Sequence, residues 1–344
     1  MRRLKIGFFE AENDREKIIA GLTEYGDVRF FTGPLNKHVA EAADFDVMSV
    51  SIKSKVDKPV INRLAAVSLV VTRSTGCDHI DLAECDRRGI VVANVPAYGE
   101  YTVAEHTFAL ILALSRNIHK AHMRTMRSDF SLSGLRGFDL KGKTIGVVGA
   151  GHIGLHVIRM ARGFGMRALV FDIKPNPFLA EADGFEYTDL DTLLKGSDVI
   201  TLHAPYNPKT HHLIDREALE KVKHGTLLVN TSRGPLIDTE ALVWALDQGI
   251  LGGAGLDVLE GEELVEEEAE ILTSEYSTET LAALIRSHIP ARRDNVVITP
   301  HIGFYSCEAA DRIIDTTAEN IAAFSQGKLL NVVNNPVEAE RRAA

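Results

Sequence analysis

The sequence contains few cysteines, no long apolar run and no recognisable secretion signal. Its three cysteines, Cys77, Cys85 and Cys307, lack metal-ligand spacing, and a sparse, odd count is typical of reduced thiols in a cytosolic protein. No apolar run reaches the roughly 18 residues that a transmembrane helix needs. The N-terminus, MRRLKIGFFEAEND, has neither the apolar core nor the small-residue cleavage site of a signal peptide. We therefore expect a cytoplasmic protein that does not enter membranes.

Positive charge is also in deficit. The chain has 38 lysines and arginines against 48 aspartates and glutamates, a formal net charge of −10. Such a chain has no overall attraction for nucleic acid or an anionic membrane, and an anionic substrate would need a locally placed cation. Hydrophobic residues make up 45% and charged residues 25%, which excludes a mainly disordered or fibrous chain. At roughly 150 residues per domain, the 344 residues predict two domains.

Strand-like apolar runs alternate with helical patterns, which predicts parallel sheets covered by helices. A first series of predicted strands comprises Lys5–Phe9, Val28–Phe31, Val47–Val50, Leu69–Thr72 and Val91–Ala93. A second series comprises Thr144–Val148, Ala168–Phe171, Val199–Leu202, Thr226–Asn230, Ala254–Leu256 and Val296–Thr299. Helices are predicted at Asp14–Tyr25, Val103–Arg116 and Ser306–Gln326. Six strands in the second series match the doubly wound dinucleotide-binding fold.

A glycine-rich turn follows the first strand of the second series. Gly149, Gly151 and Gly154 form a GxGxxG pattern between the strand TIGVV and a helical segment, with His152 and Ile153 inside the turn. The first glycine permits a tight turn, the second lets the backbone approach a pyrophosphate, and the third allows close packing of helix on strand. The helix N-terminus then offers unpaired N–H groups and a partial positive charge to the phosphates.

An acidic residue stands where such a site needs one. Asp172 ends the next strand, in LVFDIKPNP, and is placed to bind the adenosine ribose hydroxyls. Because a carboxylate there would repel a 2′-phosphate, NAD is favoured over NADP, although Lys174 could soften the discrimination. The alternative is a glycine turn of purely structural use, with Asp172 as an ordinary turn residue.

Further motifs follow one another along the chain. They are TRSTGCDHID (72–81), VPAYGEYTVAEHTFALIL (95–112), NTSRGPLIDTEAL (230–242) with GLDVLEGEE (255–263), and ITPHIGFYSCEA (298–309). Together with VVGAGHIG, they resemble the D-isomer-specific 2-hydroxyacid dehydrogenase family over nearly the whole chain. The VPAY loop and the aromatic pair Phe304 and Tyr305 look most like the D-lactate dehydrogenase branch of that family.

The resemblance implies an α/β chain with two doubly wound parallel-sheet domains. Residues 1–100 and 302–344 would form a discontinuous, flavodoxin-like substrate-binding domain. Residues 101–301 would form a Rossmann NAD domain, with an active-site cleft between the two. The resemblance also implies a homodimer, for which the helix Val103–Arg116 and the following arm to about Leu140 are the candidate contact.

The resemblance assigns catalysis to Arg233, Glu262 and His301. A 2-keto acid presents a carboxylate and a ketone in one plane, and Arg233 offers a planar fork of donors to hold one and polarise the other. As hydride arrives, negative charge grows on the ketone oxygen, and His301 is suited to protonate it because histidine titrates near neutral pH. Glu262 would favour and orient the imidazolium, although Glu260 and Glu263 lie near enough in sequence to compete for that role.

Other site residues also follow from the resemblance. Asp257, at the carboxyl end of a strand, is expected to contact the nicotinamide end of NAD. The remaining predicted NAD contacts are Ala204, Pro205 and Thr210 on the adenosine side, and Thr231 and Ser232 on the nicotinamide side. The predicted substrate contacts are the backbone of Ser74, Thr75 and Gly76 for the carboxylate, and Tyr98 and Phe304 as walls. A plain turn and core aromatics are the structural alternatives, and no metal is expected because the other histidines lack a ligand arrangement.

These residues predict NAD-dependent reduction of pyruvate or a similar small 2-keto acid. Two alternatives stay open. One keeps the family but changes the substrate to glyoxylate, hydroxypyruvate or phosphoglycerate. Phosphoglycerate should need additional cations near the substrate loop, where Arg73 is present without a dense cluster. The other alternative is a corepressor-like protein that binds NAD(H) without catalysis.

Overall fold

The computed structural model describes residues 3–11, 15–261 and 293–336. The chain divides into two compact units: unit 1, Met1–Tyr98 with Ser306–Ala344, and unit 2, Gly99–Tyr305. Each unit is built on its own parallel sheet. This confirms the α/β class predicted from the alternation of strand and helix patterns. Within the described ranges, no helix combines the length and apolar character needed to cross a bilayer.

Unit 1 contains a five-stranded parallel sheet in the order β2-β1-β3-β4-β5. The strands are β1 Leu4–Phe9, β2 Gly26–Phe31, β3 Val47–Val50, β4 Leu69–Thr72 and β5 Val91–Ala93. The helices are α1 Arg15–Leu22, α2 Val39–Ala42, α3 Lys58–Ile61, α4 Leu82–Arg88 and, from the C-terminal part of the chain, α12 Cys307–Ser325. All five strands of the first predicted series are therefore present, and β3, β4 and β5 have the predicted ends.

The C-terminal segment of unit 1 adds to both its core and its sheet. Helix α12 buries Ile314 and Ile321, seven residues apart, in the same apolar cluster as Ile18 of α1. Beyond the helix, Val332 forms an antiparallel bridge with Ala93 at the edge of the sheet. The sequence of this tail predicts no strand, because a bridge of single residues leaves no alternating pattern.

Unit 2 contains a seven-stranded parallel sheet in the order β12-β11-β10-β9-β6-β7-β8. The strands are β6 Thr144–Val148, β7 Arg167–Phe171, β8 Glu186–Tyr187, β9 Val199–Leu202, β10 Thr226–Asn230, β11 Leu251–Leu256 and β12 Val296–Ile298. The helices are α5 Glu100–Ser115, α6 Ile118–Thr125, α7 His152–Gly163, α8 Pro177–Asp183, α9 Leu190–Gly196, α10 Arg216–Glu220 and α11 Thr239–Asp247. Chain order reverses between β6 and β9, where ligands bind in open α/β sheets.

Three features of unit 2 differ from the prediction. The sheet has a seventh strand, β8, which has only two residues and pairs with β7 at the sheet edge. Strand β11 begins at Leu251 instead of Ala254, because Gly252 and Gly253 hide the strand pattern. Helix α6 lies in a polar, basic stretch for which no helix was predicted, and it buries none of its residues.

Helix α5 anchors the middle of unit 2. Ala104, Phe108 and Ile111, spaced by three or four residues, lie in the apolar cluster that also contains Ile145 and Val157. Truncation of a buried Leu or Ile to Ala costs about 2–5 kcal/mol of stability, so this face holds the helix firmly in place. Any side chain on the rest of α5 is thus presented from a rigid support.

Candidate active site

The predicted cofactor turn has the space and backbone geometry of a phosphate cradle. Gly149 has a φ of +99°, and a Cβ there would lie 2.7 Å from the carbonyl oxygen of His203. A Cβ at Gly154 would lie 2.0 Å from the carbonyl oxygen of Gly149, so helix α7 packs on the turn without room for a side chain. A Cβ at Gly151 would meet nothing within 4 Å, which leaves that backbone open to a ligand.

Asp172 lies directly beside this turn. Its Oδ2 accepts a hydrogen bond from the backbone N–H of Ala150 at 2.7 Å, and its Oδ1 accepts one from the backbone N–H of Lys174 at 2.7 Å. The parallel pairing of β6 with β7, which aligns Val148 with Phe171, brings these strand ends together. A glycine cradle with an acid at its rim fits the pyrophosphate and ribose of NAD.

The side chains inside the turn differ in exposure. His152 is 84% exposed at the start of α7, and its Nδ1 lies 3.5 Å from Glu100 Oε1. Ile153 packs against the apolar cluster under the helix. The turn therefore presents a titratable side chain and backbone N–H groups, while Ile153 holds it to the core.

Two loops predicted to contact NAD are joined to each other. Ser232 donates from Oγ to the carbonyl oxygen of Ala204 at 2.6 Å, which links the loop after β10 to the loop after β9. Thr210 donates from Oγ1 to the carbonyl oxygen of Pro205 at 2.8 Å and closes the second loop. Thr231 is buried, and its Oγ1 lies 2.9 Å from Thr107 Oγ1 on α5.

His203 is a feature of these loops that sequence analysis missed. Its Nε2 lies 2.9 Å from Thr201 Oγ1, and its Nδ1 is buried without a hydrogen-bond partner among the described residues. Burial lowers the pKa of His203 to about 3, so the ring is neutral at physiological pH. Its carbonyl oxygen, against Gly149, helps to shape the cofactor turn.

Arg233 follows β10 in a turn that Asn230 stabilises. Asn230 donates from Nδ2 to the carbonyl oxygen of Arg233 at 2.8 Å, and its Oδ1 accepts from the N–H of Ser232 at 3.0 Å. The Arg233 side chain donates from Nη1 to the carbonyl oxygen of Ser232 at 2.8 Å. The guanidinium is thus oriented at the carboxyl end of the sheet.

Asp257 organises the loop that carries His301. Its Oδ1 accepts from Thr299 Oγ1 at 2.6 Å and from the N–H of Ile302 at 3.0 Å, and its Oδ2 accepts from the N–H of Gly303 at 2.8 Å. The N–H of His301 donates to the backbone carbonyl oxygen of Asp257 at 2.8 Å. The contact of Asp257 with nicotinamide stays a prediction. The structure shows that the Asp257 carboxylate also holds the loop that carries His301.

The charge of Asp257 follows from the same contacts. Burial raises the pKa of this carboxyl, which is 3% exposed. Hydrogen bonds from His106, Thr299 and Gly303 lower the pKa by more than burial raises it, so the pKa of Asp257 is below its usual value. Asp257 is therefore ionised at neutral pH. His301 itself has a φ of +52°, a left-handed conformation that costs a non-glycine residue energy.

The predicted acid Glu262 lies outside the described residues, as does Glu263. The competing Glu260 is described, and both of its carboxylate oxygens have partners. Oε1 lies 2.7 Å from His212 Nε2, and Oε2 accepts from Thr239 Oγ1 at 2.9 Å. Glu260 therefore ties the end of β11 to the loop before α10 and to α11.

The predicted substrate loop, in unit 1, is braced by the end of β5. Ser74 donates from Oγ to the carbonyl oxygen of Gly76 at 2.7 Å, and Thr75 donates from Oγ1 to the carbonyl oxygen of Val95 at 2.9 Å. Asn94 donates from Nδ2 to the carbonyl oxygen of Thr75 at 2.8 Å. These bonds fix the loop at the carboxyl end of β4.

Arg73, just before this loop, points into unit 1. It is 9% exposed, and its guanidinium donates to Ser49 Oγ at 2.9 Å, to the carbonyl oxygen of Glu10 at 3.0 Å and to that of Phe9. The positive charge of Arg73 is therefore hydrogen-bonded to acceptors inside unit 1.

The two predicted aromatic walls belong to different units. Tyr98 ends unit 1, where its carbonyl oxygen accepts from Arg312 Nε at 2.8 Å. Phe304 lies in unit 2, and its ring is edge-on to the ring of His301 with 6.3 Å between centroids. In the described part of the chain, no group of three or more His, Cys, Asp or Glu side chains is arranged to hold a metal ion.

Sequence comparisons agree with the cofactor geometry. Residues 108–303 match the family model of the D-isomer specific 2-hydroxyacid dehydrogenase, NAD binding domain. A 2-hydroxyacid dehydrogenase homolog of Haemophilus influenzae is 38% identical over 331 residues, which cover 95% of this chain and 98% of that protein. The D-lactate dehydrogenase of Escherichia coli is 34% identical over 330 residues, or 94% of this chain and 98% of that enzyme.

A solved structure extends the likeness to the whole fold. The D-lactate dehydrogenase of Aquifex aeolicus, complexed with NAD and lactic acid, superposes with a TM-score of 0.86 at 35% identity, covering 96% of this chain and 99% of that one. The glycine cradle and Asp172 are the parts of the present structure that fit NAD. The chain therefore belongs to the D-isomer-specific 2-hydroxyacid dehydrogenase family, in which it resembles the D-lactate dehydrogenase branch, and it is an NAD-dependent oxidoreductase.

Proposed function

We propose that this protein reduces pyruvate, or a 2-keto acid of similar size, to the D-2-hydroxy acid. The observation that carries the proposal is the loop after β12, where Asp257 holds the backbone around His301 and Phe304 places an aromatic ring beside the histidine. A proton donor next to an apolar wall suits a substrate whose ketone carries a methyl group, because a methyl needs no polar partner.

Each catalytic residue has one task in this proposal. Bound NADH supplies the hydride. Arg233 holds the substrate carboxylate with its planar fork of donors and polarises the ketone. His301 donates its proton to the ketone oxygen as charge develops there, and Glu262 favours and orients the imidazolium. In the reverse reaction, neutral His301 accepts the hydroxyl proton.

The remaining predicted residues hold the two ligands. Asp172 and the backbone of the glycine cradle bind the adenosine ribose and the pyrophosphate, and the joined loops around Ala204 and Ser232 line the rest of NAD. Backbone N–H groups of the Ser74–Gly76 loop bind the substrate carboxylate. Tyr98 and Phe304 form the walls at the other end of the substrate.

The position of Arg73 supports an unphosphorylated substrate. A phosphate brought to the substrate loop would lose water and would need a dedicated cation in return. Arg73 adjoins that loop in sequence, but its guanidinium is buried against Ser49 and the carbonyl oxygens of Phe9 and Glu10. Phosphorylated acids should therefore bind poorly.

A substrate screen tests the proposal. Purified protein would be assayed with NADH and pyruvate, glyoxylate, hydroxypyruvate or phosphohydroxypyruvate, and the stereochemistry of each product determined. We expect the highest kcat/KM with pyruvate or a close analogue and a D-configured product. A higher kcat/KM with phosphohydroxypyruvate would refute the substrate while leaving the family membership intact. NADH binding without turnover of any 2-keto acid would favour the corepressor-like alternative.

We also propose that the protein is a homodimer that pairs through the segment after α5. Helix α6 buries no residue, and Met126, Phe130 and Leu132 are 71%, 78% and 86% exposed. Covering such side chains gains about 25 cal/mol per Å² of apolar surface. Light scattering should give the mass of a dimer for the wild type and a lower mass for the double variant Phe130→Ser, Leu132→Ser. A monomeric wild type would contradict this.

The cytoplasm is the location we propose for the protein. Its three cysteines, Cys77, Cys85 and Cys307, are free thiols, which suits a reducing compartment. Fractionation of source cells, with activity measured in each fraction, tests the location.

A further inference from the structure

His106, on helix α5, contacts the loop that carries His301. Its Nε2 lies 2.9 Å from Thr299 Oγ1 and 3.3 Å from Asp257 Oδ1. Its ring also packs against Gly303, where an added Cβ would lie 3.3 Å from His106 Cδ2 and 2.7 Å from Asp257 Oδ2. One ring thus contacts the loop near both of its ends.

The hydrogen bonds around His106 have a defined direction. An ionised carboxylate only accepts, so Thr299 must donate its hydroxyl proton to Asp257 Oδ1. That leaves Thr299 Oγ1 as an acceptor, which makes His106 Nε2 the donor in the 2.9 Å contact. The result is a chain of donors from His106 through Thr299 to Asp257.

The chain ends on the backbone of the reacting loop. Asp257 accepts from the N–H groups of Ile302 and Gly303, and its own carbonyl oxygen accepts from the N–H of His301. These bonds hold His301 at its φ of +52°, a left-handed conformation that is unfavourable for an L-residue. The loop would relax to other conformations if the donors that orient Asp257 were lost.

We propose that His106 is a positioning residue for the proton-donating His301. By donating to Thr299 and packing on Gly303, it fixes Asp257 and the 299–303 loop and so sets the direction of the His301 ring. Its place on α5, whose opposite face is buried in the core of unit 2, makes the support rigid. The inference rests on the proposed role of His301 as the proton donor.

Two substitutions separate the hydrogen bond from the bulk of the ring. His106→Gln keeps an amide N–H at about the distance of Nε2, whereas His106→Leu removes the donor but keeps an apolar side chain. The matched control is His119→Leu, since His119 is a partly buried histidine whose ring contacts the carbonyl oxygens of Ala113 and Asp294 instead of this loop. Five quantities would be measured: kcat for pyruvate, KM for pyruvate, the Kd of NADH, thermal stability, and amide hydrogen exchange of a peptide covering 299–304 in the protein without cofactor.

We expect His106→Leu to lower kcat by up to about 100-fold, because a displacement of about 1 Å in a reacting group has that effect. The Kd of NADH should be unchanged, and the 299–304 peptide should exchange faster than in the wild type. His106→Gln should restore most of the wild-type kcat and most of the wild-type protection of the 299–304 peptide from exchange. His119→Leu should change neither.

Two results would overturn the inference. One is a His106→Leu protein with wild-type kcat and wild-type exchange of the 299–304 peptide. The other is a glutamine variant as impaired as the leucine variant, with stability and every kinetic parameter reduced together. Failure of the proposed function is distinguishable from both, because it would show as a wild type without turnover, while the exchange measurement still reports whether His106 holds the loop.

Discussion

Replacement of Asp257 by Asn should lower the stability of unit 2, and the hydrogen bonds that the Asp257 carboxylate accepts set the size of the loss. The carboxylate accepts the N–H of Gly303 on Oδ2 and the N–H of Ile302 and the hydroxyl of Thr299 on Oδ1. An asparagine has one oxygen, so its NH2 group must face the N–H of either Gly303 or Ile302. A buried donor left unpaired costs about 1–3 kcal/mol, and the lost charge adds to it. We therefore expect a loss of roughly 2–4 kcal/mol.

The pH dependence of this effect has a defined sign. The pKa of Asp257 is lowered in the folded protein, since hydrogen bonds from His106, Thr299 and Gly303 outweigh the effect of burial. A carboxyl with a lowered pKa stabilises the folded protein at pH values above its pKa in the unfolded chain, about 3.9. This stabilisation is lost as the pH falls through the pKa in the folded protein. The difference in stability between wild type and Asp257→Asn should therefore be constant from roughly pH 5 to 8 and should narrow below about pH 3.9.

Thermal unfolding followed by circular dichroism at several pH values provides the assay. For a unit of this size, about 1 kcal/mol corresponds to 2–4 °C, so the variant should melt roughly 5–15 °C lower at pH 7. Activity should also fall, because the loop of His301 loses its anchor. An equally stable variant, or a stability difference that changes near pH 6–7, would refute the assignment of these hydrogen bonds to an ionised Asp257.

Three further predictions concern the cofactor, the acid and the substrate wall. Asp172→Ser should raise the use of NADPH relative to NADH, and a wild type that already prefers NADPH would contradict the assignment. If Glu262 pairs with His301 as proposed, Glu262→Gln should lower the pH at which pyruvate reduction declines on the alkaline side, because the loss of that negative charge disfavours the protonated imidazole. Glu260→Gln is the matched control: its partners are His212 and Thr239, so it should lower stability without that shift, and the reverse result would move the acid to Glu260. Phe304→Ala should improve kcat/KM for bulkier 2-keto acids relative to pyruvate. The change in this ratio should correspond to about 1–3 kcal/mol of transition-state binding for each methylene accommodated, and an unchanged ratio would exclude Phe304 from the substrate wall.

The elements that sequence analysis missed are short or irregular. Strand β8 has two residues, too few for an alternating pattern, and it exists because the edge of β7 offers unpaired backbone groups. Helix α6 buries none of its residues, so the apolar periodicity that reveals a packed helix is missing. The bridge of Val332 to Ala93 is likewise formed by the partner strand and not by a local preference.

The cofactor turn shows what a local motif can predict. Gly149, Gly151 and Gly154 are needed because of space within a few residues, and the strand before them and the helix after them are visible in the sequence. By contrast, the partners of Asp257 come from residues more than 40 positions away. The sequence marked Asp257 as a site residue, but its task in the loop of His301 could only be read from the folded chain.

The sequence by itself determined the α/β class, the strands of both sheets except β8, and the dinucleotide-binding turn, because these depend on periodicity and on steric limits that act over short segments. Tertiary structure alone decided which polar side chains share a hydrogen bond. His106 has no sequence pattern that distinguishes it from the other histidines, yet folding places it 2.9 Å from Thr299. Arg73 adjoins the substrate loop in sequence, yet folding turns its charge into unit 1. Contacts of this kind depend on the packing of distant elements, which local propensities do not encode.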